Sequence, residues 1–155
     1  MKTSVALVPI AVSEQSELRQ MMRDYFLEMN AYEPEAEDVD TYIERAWPEM
    51  LADMLGRELL WIVADARRAG FLIVRTLEDW PHTERMIASI AEFYIAPNFR
   101  RSHIGTTAVE TLLAEHRERG TYLVEADILI RNEPAKAFWQ RLGFEVQFLQ
   151  TGRKP

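Results

Sequence analysis

The chain of 155 residues contains no cysteine. A disulfide scaffold, a thiolate zinc site and a cysteine nucleophile are therefore all excluded. Long apolar runs are missing too. The opening segment, Lys2 to Pro9, has one lysine and a short apolar stretch, too brief for a signal peptide or a membrane span, so a cytoplasmic protein is expected. Glycine is scarce, at 6 residues, and neither a G-x-G-x-x-G run nor a Gly-Lys-Ser/Thr triplet occurs, which removes the usual dinucleotide and P-loop readings. Basic residues are outnumbered, 18 Lys and Arg against 25 Asp and Glu, for a net charge of -7. A whole-surface nucleic-acid binder is normally basic, so no nucleic-acid partner is expected. An acidic surface favours cationic partners such as amines.

What remains is an ordinary globular composition, 48% apolar, long enough to bury a core in one domain spanning 1–155. Strands are expected at Thr3 to Ile10, Leu59 to Ala64, Gly70 to Arg75, Met86 to Ile95, Tyr122 to Ile130 and Phe144 to Leu149. A helix capped by Ser13 should present Leu18, Met21, Met22, Tyr25, Phe26 and Met29 on one face. A second helix aligns Val39, Ile43, Trp47, Met50 and Met54, with Pro48 expected to kink or split it. Thr76 to Arg85 reads as a polar loop around Trp80. Ile104 to Arg117 and a segment capped by Asn132 and ended by Gly143 complete the helices. Early hairpins followed by strand-helix-strand units give an α/β chain with a mixed sheet.

Two segments carry candidate chemistry. In Arg100-Arg101-Ser102-His103-Ile104-Gly105-Thr106 a turn runs into a helix start, where unpaired N–H groups and the positive helix end form an anion cradle. No acidic residue occurs from Phe93 to Val109. A solvated helix entry bearing two arginines explains the same residues. In Asn132 to Phe144, Asn132 stands where a strand becomes a helix, and Ala135, Phe138, Trp139 and Leu142 share a face; a plain core face with an Asn cap is the alternative.

In this order and separation the two segments resemble the GNAT superfamily of N-acetyltransferases. Arg100, Ile104 and Gly105 match that family's coenzyme A loop, Arg/Gln-x-x-Gly-x-Gly/Ala, with His103 at its first glycine. Asn132, Ala135, Phe138, Gly143 and Phe144 match its Asn-x-x-Ala-x-x-Phe-Tyr-x-x-x-Gly-Phe pattern, with Trp139 replacing tyrosine. The match covers roughly Met86 to Phe144. The resemblance implies a single-domain α/β GNAT-like fold, a mixed central sheet with splayed fourth and fifth strands and about four flanking helices. It implies acetyl-CoA as co-substrate and no metal. The pyrophosphate would lie on the N–H groups of Arg101 to Thr106. The pantetheine would run along Tyr94, Ile95 and Ala96, hydrogen-bonded by Asn132 and packed by Trp139, with Arg141 toward the nucleotide. Glu92 is the expected base for the incoming amine, with Glu125 and Asp127 in reserve, and Tyr94 or water would return a proton to the thiolate. Tyr32, Trp47 and Trp80 would wall the acceptor pocket, and Glu33, Glu35, Glu37, Asp38 and Asp40 would draw in a cation. A small-molecule amine is the expected acceptor; a protein lysine or N-terminus, and a non-catalytic CoA-binding module, are the alternatives. Only about a dozen residues follow Gly143, where the family usually forms a final hairpin. The last strand is therefore expected either to be missing or to come from a partner chain, and a homodimer is the expected assembly.

Overall fold

The computed structural model describes residues 2–155. The elements follow in the order β1 (Val5–Pro9), α1 (Gln15–Met29), α2 (Val39–Ala52), β2 (Arg57–Ala64), β3 (Arg67–Asp79), β4 (His82–Ile95), α3 (Ile104–Glu118), β5 (Leu123–Ala126) and α4 (Glu133–Arg141). The strands form one sheet in the order β1-β2-β3-β4-β5. The first four are antiparallel neighbours, and β5 runs parallel to β4. This is the mixed sheet with four helices that the sequence implies.

Each face of the sheet buries its own cluster. On one side Leu72, Val74, Ala88 and Ile90 pack with Ile104, Ala108, Val109 and Leu112 of α3 and Trp139 of α4. On the other, Trp61, Phe71, Ile73 and Tyr94 pack with Leu18 and Met22 of α1, and Trp47 and Met50 of α2 lean against them. Central strands apolar on both faces need such double cover.

Several local expectations are corrected. Ser13 does not cap α1. It lies in a short 3₁₀ turn, Val12–Glu14, which the Glu14 carboxylate closes by accepting from Ala11 N–H at 2.9 Å. Pro48 does not split α2, which continues from an Asp38 cap to Ala52. One missing N–H is tolerated because most helix stability comes from the packed face. The segment Thr76 to Arg85 is not a loop: β3 and β4 continue as an arm whose register reaches Asp79 opposite His82, and Asp79 holds Arg85 at 2.5 Å. The expected strand Tyr122 to Ile130 shrinks to Leu123–Ala126. Phe144 to Leu149 forms no strand. Val146, Phe148 and Leu149 stay exposed, and β5 is left as an edge strand.

Gly70 fixes how closely β3 meets β4. A Cβ there would stand 1.8 Å from the Tyr94 carbonyl oxygen, so only glycine permits this contact. Gly70→Ala should cost about 3 kcal/mol in urea or thermal unfolding, the upper part of the range for overpacking. A loss below about 0.5 kcal/mol would show that the two strands are not held at this separation.

Candidate active site

The site is built by an irregularity in β4. Ile73 pairs with Glu92, but the next residue of β3, Val74, pairs with Ile90. Ala91 is therefore an extra residue, a β-bulge, the kind of defect that re-aims side chains beside active sites. It places Ile90 and Phe93 on the same face, toward α3 and α4. Tyr94 goes to the opposite face, beneath α1, and Glu92 shares that face by strand alternation. Ile90 is also the last residue of β4 that pairs with β5. Beyond it, β4 runs on to Ile95, and among the described residues no strand pairs with it on that side, because β5 ends at Ala126.

Glu92 sits on the floor of a pocket of about 370 Å³ lined by Met22 and Phe26 of α1, Tyr42, Trp47 and Glu49 of α2, and Ile73 and Ala91 of the sheet. This volume suits a small ligand. Burial pushes the half-buried Glu92 carboxyl up to about 7; the nearby Tyr25 hydroxyl pulls it partly back, and the Asp127 carboxylate adds to the rise. Tyr25 and Tyr42 are both held above the usual phenol range, first by burial and then by the charge of Glu92. A carboxyl poised near neutrality under phenols and a polar-edged apolar pocket can accept a proton from an amine. A second hollow, about 430 Å³ between β1 and α2, includes Ile10, Val12 and Met54; its one carboxylate, Glu58, is paired with Arg119, so it offers no chemistry.

The end of β4 leads into the second feature. Among the described residues, the N–H groups from Arg101 to Thr106 make no hydrogen bond within the protein, and Thr107 N–H is the first to bond, to His103 O at 2.9 Å. Arg101 and His103 both adopt left-handed conformations, φ 60 and 62. His103 thus takes the backbone geometry that a glycine would favour at its place, at a strain of order 1–2 kcal/mol. The Arg101 side chain is exposed and forms no ion pair among the described residues. A turn of free N–H groups at the start of a 15-residue helix, with one free guanidinium, fits a pyrophosphate.

The matching family is the Acetyltransferase (GNAT) family, over residues 17–144. The chain belongs to this family. An uncharacterised N-acetyltransferase of Methanocaldococcus jannaschii is 36% identical over 69 residues, covering 44% of this chain and 30% of that protein's length. A ribosomal-protein-alanine N-acetyltransferase of Brucella melitensis biovar Abortus superposes with a TM-score of 0.70 at 16% identity, over 98% of both chains. An aminoglycoside acetyltransferase from an uncultured soil sample, in complex with sisomicin, superposes with a TM-score of 0.69 at 14% identity, over 99% of this chain and 96% of that one. These two show the fold shared across GNAT enzymes. The chain spans under a third of the length of the curated relative it matches, and the family match over residues 17–144 is to acetyltransferases.

The remaining expected site residues divide. Ile95 and the half-buried Ala96 line the end of β4. Ser102, Ile104, Gly105 and Thr106 lie in the cradle, with the Ser102 hydroxyl turned back to Phe99 O at 2.8 Å. Ala135 packs on the α3 side, and Arg141 is exposed at the end of α4. Arg100 is not available as a free cation: it donates to Ile95 O at 2.7 Å and to both oxygens of Glu28 at 2.8 Å. Trp139, only 5% exposed, belongs to the core, edge-on to Phe93, Phe138 and Phe144. Tyr94 is packed against Tyr25 and Phe71 with the Arg100 guanidinium over its ring, away from the pocket. Glu125 accepts a hydrogen bond from Ser89 across the β4–β5 pair at 2.5 Å. Trp80 is 82% exposed at the tip of the β3–β4 arm, roughly 30 Å along the strand from Glu92, and does not wall the pocket. Tyr32 does not line it either; Trp47 does. Tyr42 and Glu49 lie on a stripe adjoining the apolar one of α2; Tyr42, Ala46, Glu49 and the C-cap Asp53 fall at i, i+4, i+7 and i+11, which was the available signal.

The raised Glu92 carboxyl has a consequence for stability. Its folded value lies above its unfolded one, so its contribution is full below the ordinary carboxylate range and is lost as pH rises toward about 7. Glu92→Gln should therefore melt above the wild type at pH 8, and the difference should shrink at pH 5. An equal difference at both values would mean that Glu92 is solvated like a surface acid.

Proposed function

We propose that the protein acetylates a small primary amine by direct attack on acetyl-CoA, with Glu92 as the general base. The observation that carries this reading is the Glu92 carboxyl, held near neutrality on the floor of a pocket at the bulge where β4 leaves β5. An ammonium drawn to the acidic surface gives up a proton to Glu92, directly or through water. The free amine then attacks the thioester carbonyl, the C–N bond forms and the C–S bond breaks. An alkyl thiolate with a pKa near ~8.5 leaves without strong assistance. It takes up, through water, the second proton that the acylated nitrogen loses, and Glu92 returns its own to solvent; Trp139 is a core residue and Tyr94 is packed away from the pocket. The cradle from Arg101 to Thr106 holds the donor's pyrophosphate, and Asn132 and the open edge of β4 hold its pantetheine arm. Arg141 lies toward the nucleotide end.

The half-enclosed pocket, with Trp47, Tyr42 and Phe26 as walls and Glu49 on its lining, supports a small acceptor over an extended peptide, which would need a groove open at both ends. The aminoglycoside enzyme above shows that this fold admits such acceptors, and the ribosomal-protein enzyme that it admits proteins. Among the described residues no group of three or more His, Asp or Glu side chains is placed to hold a metal ion, and no helix is long and apolar enough to cross a membrane.

Acetyl-CoA should raise the thermal midpoint of the wild type, since binding to the native state stabilises it. Arg101→Ala should weaken that rise. Glu92→Gln should keep it while lowering turnover of the amines that a screen identifies by ~10²–10⁴. No rise at saturating acetyl-CoA would remove the donor site, and an unchanged turnover in Glu92→Gln would remove the base.

We also infer a homodimer in which the exposed Val146, Phe148 and Leu149 of each copy cover the free edge of the other's β5. Light scattering should give a dimer mass, reduced to a monomer by Val146→Lys with Phe148→Lys; a monomeric wild type would exclude this assembly.

A further inference from the structure

The last turn of α1 reaches the donor site at two points. The Glu28 carboxylate accepts two hydrogen bonds from the Arg100 guanidinium, which is anchored to Ile95 O at the end of β4. The neighbouring residue, Met29, offers its sulfur to the Asn132 side-chain amide at 3.8 Å. Asn132 is 7% exposed. Its carbonyl oxygen is spent on the α4 cap, accepting from Ala135 N–H at 3.1 Å. Its amide donor, buried and aimed off the helix, is left with a thioether, one of the weakest acceptors a protein has. A buried amide of this kind is normally matched to an oxygen. So two adjacent side chains place a carboxylate on an arginine and a soft, flexible chain on an amide donor, beside a strand edge that has no neighbour. An acyl-CoA molecule brings the same pair of features in stronger form: an anion, and a flexible arm whose amide carbonyls are good acceptors.

We propose that Glu28 and Met29 form a latch that stands in for the acyl donor, and that acyl-CoA binding displaces both side chains from Arg100 and Asn132. This rests on the donor site described above and concerns its regulation. Displacement frees Arg100 for the donor's phosphates and gives Asn132 the oxygen partner it lacks. It also loosens the turn of α1 that carries Tyr25, one turn before Met29 and on the same face. Tyr25 faces Glu92, so donor binding is felt at the base that handles the acceptor.

The test is calorimetric titration of acetyl-CoA into the wild type, Glu28→Gln, Met29→Leu and the double variant, with the melting midpoint of each free protein. Both substitutions preserve size, so the variants fold. A latch competes with the donor, so its removal should lower the midpoint of the free protein and tighten acetyl-CoA binding by about two- to fivefold for Glu28→Gln, the range of a partly exposed ion pair. The double variant should bind at least as tightly. Binding by the variants alone supports the latch in its strongest form. Binding that is unchanged or weaker in Glu28→Gln and in the double variant overturns it while leaving the donor site intact, because the two contacts would then be scaffolding. Binding by none of the four proteins overturns the donor site and the latch together.

Discussion

Ala91 has no partner on β3, and β4 must absorb the extra residue. In a regular strand Ile90 and Phe93 would face opposite ways. Here both enter the core beneath α3 and α4, while Tyr94 lies in the core beneath α1. The same step ends pairing with β5. A strand that has lost its neighbour exposes unpaired backbone groups, and these are what an extended ligand can use. The bulge thus sets the face that Glu92 takes and stands where the pairing of β4 with β5 ends. The rest of the chain supports it: Gly70 lets β3 follow the distorted strand closely, α1 and α2 roof Glu92, and Arg100 ties the end of β4 to α1.

The arrangement costs stability where it gains chemistry. Glu92 is held near neutrality by burial, which means that its ionised form is destabilised in the native state. Arg101 and His103 keep left-handed backbones that their side chains disfavour. The Asn132 amide settles for a sulfur.

Much of this was legible in the sequence. The apolar stripe of α3, the Asn132 cap and Gly143 at the end of α4 all follow from periodicity or motif. The bulge was not read, although the spacing Ala88, Ile90, Phe93, Ile95 carries it: two apolar steps of two residues flank one of three, which a flat strand cannot bury on one face. Trp80 and Tyr32 are expected at the pocket because the first two helices and the Thr76 to Arg85 segment flank the expected acceptor side, and neither reaches it. Arg100 was read as a free cation because its partner, Glu28, is remote in sequence, and no local pattern announces such a pair. The tail after Phe144 was read as a strand from its alternation, but alternation shows only that a segment suits a sheet, not that a neighbour exists.

The account stands on Glu92 being a carboxyl that the fold keeps near neutrality at the bulge. The direct measurement is the carbon-13 shift of its side-chain carboxyl, followed by NMR from pH 4 to pH 9 and assigned with Glu92→Gln. A midpoint at about 7 is the predicted result. A midpoint in the ordinary carboxylate range, near ~4.3, would show a solvated acid that is already ionised at neutral pH, and the assignment of Glu92 as a base tuned by burial would be wrong.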